Sequence, residues 1–84
     1  MKFILKTDKI MEDKLLEIIN TVLLNSGKEE IQKIKPDTNL RNDLGFSSLQ
    51  LAELTVRIES EFGIDVFEDG IVNTISEIIE KLRK

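Results

Sequence analysis

The stretch Asp43-Leu44-Gly45-Phe46-Ser47-Ser48-Leu49-Gln50 decides how this chain is read. Two adjacent serines follow a glycine and precede an apolar, helix-periodic run. Ser47 placed at the N-cap makes Gln50 the third helical residue. Ser47-x-x-Gln50 is then a capping box, with the Ser47 hydroxyl accepting from the Gln50 amide. With Ser48 as the cap, the third position would be Leu51, which cannot reach back. Ser47 is thus explained by structure, and Ser48 becomes the first helical residue, where capping needs no hydroxyl. Free backbone N–H groups and the positive end of the helix dipole surround that position. A phosphoester is stabilised there. A self-activated nucleophile is not, because it needs a base in reach and the chain has no histidine and no cysteine. On residue type alone, a small polar residue at a helix start also accounts for Ser48.

Outward from this point the chain divides by periodicity. Met11, Leu15, Ile18, Ile19 and Val22 recur at spacings of three and four, which predicts a first helix capped by Thr7 or Asp8 and ended by Asn25, Ser26 and Gly27. Residues 28–46 contain the only proline, Pro36, and no sustained period. They are expected to form an ordered loop pinned by Ile31, Ile34, Leu40 and Leu44. A second helix is expected over 48–62, ended by Gly63. Asp65-Val66-Phe67-Glu68 has capping-box spacing and predicts a short helix limited by Gly70. Thr74-Ile75-Ser76-Glu77 is another box, opening a last helix with Ile75, Ile78, Ile79 and Leu82 on one face. The expected fold is all-α: a small four-helix bundle of three main helices, one short helix and a long first loop. Only Phe3-Ile4-Leu5 could be extended, and residues 1–6 form a candidate N-terminal extension.

Length and charge narrow the function. The 84 residues make one domain, 1–84, with a single small core that buries roughly 60 to 65% of the unfolded surface. Sixteen acidic residues against twelve basic ones leave a net charge of −4. That disfavours nucleic acid, which requires a basic face, and favours basic protein partners. The apolar run at the start is too short for a signal peptide or a membrane span. Without cysteine there is no disulfide framework and no cysteine-based zinc site, no metal site is expected, and the cytoplasm is the default compartment.

The second helix carries two apolar stripes. Leu51, Leu54, Ile58 and Phe62 fall within about 80° of one another at 100° per residue and form the core face. Leu49, Ala52 and Val56 lie nearly opposite. They either pack under the loop or the N-terminal segment, or form an exposed partner strip rimmed by Gln50, Glu53, Arg57, Glu59 and Glu61.

These residues together resemble the acyl carrier protein family and the related peptidyl carrier domains. Asp43-Leu44-Gly45-Phe46-Ser47-Ser48-Leu49 is similar to the family's D-L-G-x-D-S-L motif. The likeness runs from the first helix through Lys33-Ile34-Lys35-Pro36-Asp37-Thr38-Asn39-Leu40, the motif and Glu61-Phe62-Gly63-Ile64-Asp65-Val66 to the last helix. The resemblance implies that Ser48 is the site to which a phosphopantetheinyl transferase joins 4′-phosphopantetheine from coenzyme A. Acyl cargo then rides as a thioester on the arm, in fatty-acid, polyketide or related biosynthesis. It implies a carrier with no catalytic residues of its own, working as a monomer with acyl-transferring, condensing or ligase enzymes. Partner recognition would fall to Leu49, Glu53, Val56 and Glu59. Other readings are an aminoacyl or peptidyl carrier and a helical adaptor that never receives the arm. Three positions depart from the family. Ser47 stands where an aspartate is common, Phe46 where the residue is usually small or aliphatic, and Arg57 interrupts the acidic face. With its own Met1 and little beyond the last helix, the chain is expected to be free-standing.

Overall fold

A computed structural model describes residues 6–83, with side chains from Lys9 onward. Three helices are present among them: α1 (Lys6–Asn25), α2 (Ser48–Phe62) and α3 (Ile75–Leu82). Helix α1 packs against α2, and the only strand-like pairing described is an isolated antiparallel bridge between Asn39 and Thr74. The all-helical fold expected from periodicity is what forms.

The helix faces follow the apolar spacing. Leu15, Ile19 and Val22 of α1, Leu51, Leu54 and Ile58 of α2, and Ile75, Ile78 and Ile79 of α3 are buried in one cluster. Met11, Ile18, Phe62 and Leu82 pack on its edge. Each fully buried side chain of this size contributes about 1.5–3 kcal/mol by removal from water. Leu23, which the spacing did not single out, is also buried.

Helix α1 stops where Asn25, Ser26 and Gly27 stand. Gly27 adopts a left-handed φ of 77°. Its amide donates to the Leu24 carbonyl at 3.0 Å, and the Lys28 amide donates to that of Leu23 at 2.9 Å. This is the Schellman pattern, which satisfies carbonyls the helix leaves open.

Two expectations are corrected. Helix α1 is already formed at Lys6, so Thr7 and Asp8 lie within its first described turn rather than at a cap. Acidic and hydroxyl residues are also tolerated inside a first turn, so residue type alone did not locate the start. The fourth, short helix at 65–70 is absent: the segment is a pair of overlapping turns, Glu68 N to Asp65 O (3.2 Å) and Gly70 N to Phe67 O (3.1 Å). The Asp65 carboxylate accepts from the Phe67 amide at 3.0 Å, two residues on, not from Glu68 as a capping box requires. An Asx turn has taken the side chain that would have capped a helix. Residues 1–5, which include the Phe3-Ile4-Leu5 run considered for an extended segment and the stretch considered as a cover for the second stripe, lie outside the described residues.

The long loop is ordered by specific bonds. Leu40 and Leu44 are buried, and Ile31 and Ile34 pack against the core. Asn20 of α1 pairs with Ile31 in both directions: its Nδ2 donates to the Ile31 carbonyl (3.0 Å), and its Oδ1 accepts from the Ile31 amide (2.8 Å). Further along, the loop closes over the start of α3. The Ile75 amide donates to Thr38 O (3.1 Å), the Ser76 amide to Pro36 O (2.9 Å), and the Leu40 amide to Asn73 O (2.8 Å). The Glu77 amide is taken by Thr74 Oγ1, and the Glu77 carboxylate accepts from the Thr74 amide. The N-terminal amides of α3 are therefore sealed by the loop and by the cap.

Candidate functional site

The site begins with Asn39, which folds the motif loop around itself. Its Oδ1 accepts from the amides of Arg41 (3.0 Å) and Asn42 (2.8 Å). Its carbonyl accepts from Asp43 N (2.9 Å) and Leu44 N (3.2 Å). The Asp43 carboxylate returns the contact by accepting from the Asn39 amide at 2.8 Å. The loop is then closed by the Phe46 amide donating to the Leu40 carbonyl at 3.0 Å. Leu40, Leu44 and Phe46 turn into the core, while Arg41, Asn42, Asp43, Ser47 and Ser48 stay exposed.

Gly45 sits in this loop with a left-handed φ of 70°. Lys28, just past the end of α1, reaches across to it. Its Nζ donates to the Leu44 carbonyl (3.3 Å) and to the Gly45 carbonyl, and lies 5.9 Å from the centre of the Phe46 ring. The large residue at position 46 therefore has a structural use: it is 98% removed from solvent, with 2% of its surface left, and carries a cation on its face.

Helix α2 starts from this support. Ser47 is extended at φ −80°, ψ 175°. Its Oγ accepts from the Gln50 amide at 3.3 Å, and Gln50 Oε1 accepts from the Ser47 amide at 2.8 Å. The cap is thus made by the Ser47 hydroxyl. Ser48 is the first residue of α2 and is exposed. Its Oγ accepts from Arg41 Nη2 at 2.9 Å. Among the described residues the amides of Ser48 and Leu49 have no acceptor, in contrast to the sealed start of α3. Open amides and a guanidinium beside an exposed hydroxyl suit an anionic substituent on that oxygen. Among the described residues the only side chain bonded to the Ser48 hydroxyl is Arg41, which donates and takes no proton. The hydroxyl can therefore receive a group from another enzyme but not activate itself.

Along α2 from this point runs the second stripe. Leu49 is 80% exposed, Val56 is 64% exposed and Ala52 is exposed too, so the loop does not cover the stripe. Glu59 is exposed beside it. Glu53 is tied down: its carboxylate accepts from Asn25 Nδ2 (3.1 Å) and Arg57 Nε (2.9 Å). The bond from Asn25, then that from Arg57, holds its carboxyl below the usual range. Arg57 thus neutralises an acid on the face it interrupts. Sequence spacing did not single out Lys28, Asn39 or Arg41, because none shares a helix period with the residue it serves.

No helix of the described residues is long and apolar enough to cross a membrane. Nor do they hold a group of three or more His, Cys, Asp or Glu placed to bind a metal.

Residues 13–82 match the protein family described as "Phosphopantetheine attachment site". The chain is 32% identical over 76 residues to "Acyl carrier protein 2" of Pseudomonas aeruginosa, covering 88% of this chain and 95% of that one. It is 33% identical over 72 residues to an "Acyl carrier protein" of Trieres chinensis, covering 83% and 90% of the two. With an "Acyl carrier protein" of Rickettsia bellii it shares 31% over 85 residues, covering 99% and 93%. No solved structure gives a significant match. With this family match over most of its length, and near-complete coverage of these relatives, the chain belongs to the acyl carrier proteins, which bear phosphopantetheine covalently.

Proposed function

We propose that Ser48 is the attachment residue. The observation that carries this reading is the division of labour at the start of α2. Ser47 is occupied by the cap, and Ser48 stands exposed at open amides with its oxygen available. In the transfer, Ser48 Oγ bonds to the β-phosphorus of coenzyme A. The bond from that phosphorus to the bridging pyrophosphate oxygen breaks, and adenosine 3′,5′-bisphosphate leaves. The hydroxyl proton goes to a base of the transferase, since among the described residues only the donor Arg41 bonds to that oxygen. When bound, the arm supplies a thiol, which this cysteine-free chain lacks, to hold acyl groups as thioesters.

The protein then acts as a carrier without catalysis of its own, presenting acyl intermediates of fatty-acid, polyketide or related biosynthesis to successive enzymes. Leu49 and Val56 form the apolar centre of its partner surface, and Glu59 and Glu53 lie on its rim. With Glu53 held by Asn25 and Arg57, the apolar residues carry more of the contact than the acids do. A monomeric, cytoplasmic carrier fits the small core and the lack of cysteine.

The test is intact-mass measurement after incubation with coenzyme A and a broad-specificity phosphopantetheinyl transferase. Wild type should gain one phosphopantetheine and Ser48→Ala should gain none. A gain that survives Ser48→Ala and disappears in Ser47→Ala would move the assignment to Ser47. No gain with any transferase would leave a helical adaptor as the better reading.

A further inference from the structure

The contact between Arg41 and Ser48 carries an inference beyond the attachment itself. We infer that Arg41 is the positioning residue of the attachment oxygen, orienting the Ser48 hydroxyl before transfer and pairing with the phosphodiester afterwards. The inference rests on the reading of Ser48 as the attachment site.

Three observations support it. Arg41 Nη2 donates to Ser48 Oγ at 2.9 Å across seven residues of irregular loop. The backbone that carries it is fixed on both sides, with the following Asn42 amide also donating to Asn39 Oδ1 at 2.8 Å. The Arg41 amide donates to Asn39 Oδ1, and the preceding Leu40 is fully buried with its amide on the Asn73 carbonyl. Its charge is also uncommitted. Among the described residues no carboxylate forms an ion pair with Arg41. Asp43, the nearest acid in the loop, instead accepts from the Asn39 amide.

The chemistry follows from what a guanidinium can do. It donates and never accepts, so it orients a lone pair of Oγ and leaves the O–H free to point at an external base. As the Oγ–phosphorus bond forms, the incoming phosphorus carries non-bridging oxygens with negative charge. The same guanidinium is within reach of them without moving far, and planar N–H donors match phosphate oxygens well. After transfer, Oγ is an ester oxygen and the phosphodiester is a monoanion beside one cation. The contact is exposed, so its effect on rate is modest and sensitive to salt.

The experiment uses apo protein, coenzyme A and a broad-specificity phosphopantetheinyl transferase, with Arg41→Gln and Arg41→Lys beside wild type. Arg41→Gln should lower kcat for loading by about two- to fivefold, the range of an exposed charge-assisted contact. KM for the carrier and the melting temperature should stay unchanged, and Arg41→Lys should recover much of the rate. In the loaded protein, the phosphodiester resonance in phosphorus NMR should differ between wild type and Arg41→Gln. High salt should move the wild-type signal toward the variant's. A loss confined to KM with an unchanged phosphorus signal would overturn the inference, because Arg41 would then be a docking contact for the transferase. Equal loading and equal spectra in all three proteins would overturn it while leaving Ser48 in place. Failure of wild type itself to load would overturn the Ser48 reading and this inference with it.

Discussion

Lys28 and Gly45 are seventeen residues apart, yet the ammonium of one donates to the carbonyl of the other. The same ammonium donates to the Leu44 carbonyl at 3.3 Å and caps the Phe46 ring. The end of α1 thereby grips the loop that presents Ser48. A long flexible side chain closes the gap that a fixed turn could not.

Lys28→Ala should destabilise the fold by about 1 kcal/mol, the usual worth of such bonds. Gly45→Ala should cost about 1–2 kcal/mol, because a Cβ at φ 70° is strained in the left-handed region. It would also stand 2.9 Å from Lys28 Nζ. That crowding is relieved once Lys28 is truncated, whereas the backbone strain is not. The double variant should therefore be less destabilised than the two single losses added, by a few tenths of a kcal/mol. Urea denaturation of the four proteins measures this, and strict additivity would show that Lys28 does not press on position 45.

Glu77 links stability to pH. The Asn73 amide, followed by the Thr74 amide and hydroxyl and by Lys81, holds its carboxyl below its ordinary value of 4.5. A carboxyl depressed on folding stabilises the protein above its unfolded pKa, and this contribution is lost as pH falls through the folded value. Glu53 acts in the same direction through Asn25 and Arg57. Denaturation midpoints should therefore drop as pH is lowered below about 4.5, and drop less in Glu77→Gln, which keeps an acceptor and cannot titrate. Parallel acid limbs for the two proteins would remove Glu77 from this account.

Val56→Asp tests the partner face. Val56 is mostly exposed, so a charge there should leave stability within about 0.5 kcal/mol of wild type. Leu54→Ala, at a fully buried neighbour on the opposite face, should cost about 2–5 kcal/mol. Turnover of the loaded carrier by an acyl-transferring partner enzyme should fall in Val56→Asp without any change in melting temperature. A sharp fall in melting temperature instead would mean that the stripe is covered in solution.

Much of the architecture was legible in the linear chain wherever the physics is local. The helix faces follow a period of 3.6, so Leu15 and Ile19, or Leu54 and Ile58, announce burial by spacing alone. The capping box at Ser47 and Gln50 is equally local, since donor and acceptor are three residues apart. That box separates the two serines without any tertiary information. The 65–70 segment shows the limit. Asp65 can cap a helix or make an Asx turn with the same carboxylate, and the turn forms in a segment where Val66 is fully buried and Phe67 packs on the core.

By itself the sequence determined the three main helices, their buried faces, and Ser48 as the serine left free. Each depends only on spacing within a few residues and on the backbone geometry of a helix start. Tertiary structure alone decided that the loop leaves the Leu49–Val56 stripe uncovered, that among the described residues the start of α3 is sealed while that of α2 stays open, and that Lys28 and Arg41 meet the motif loop. Those outcomes depend on where an irregular loop comes to rest. Its path is set by distant anchors, Leu40 and Leu44 in the core, Asn20 on Ile31 and Thr38 on Ile75, which no repeating pattern in the chain encodes.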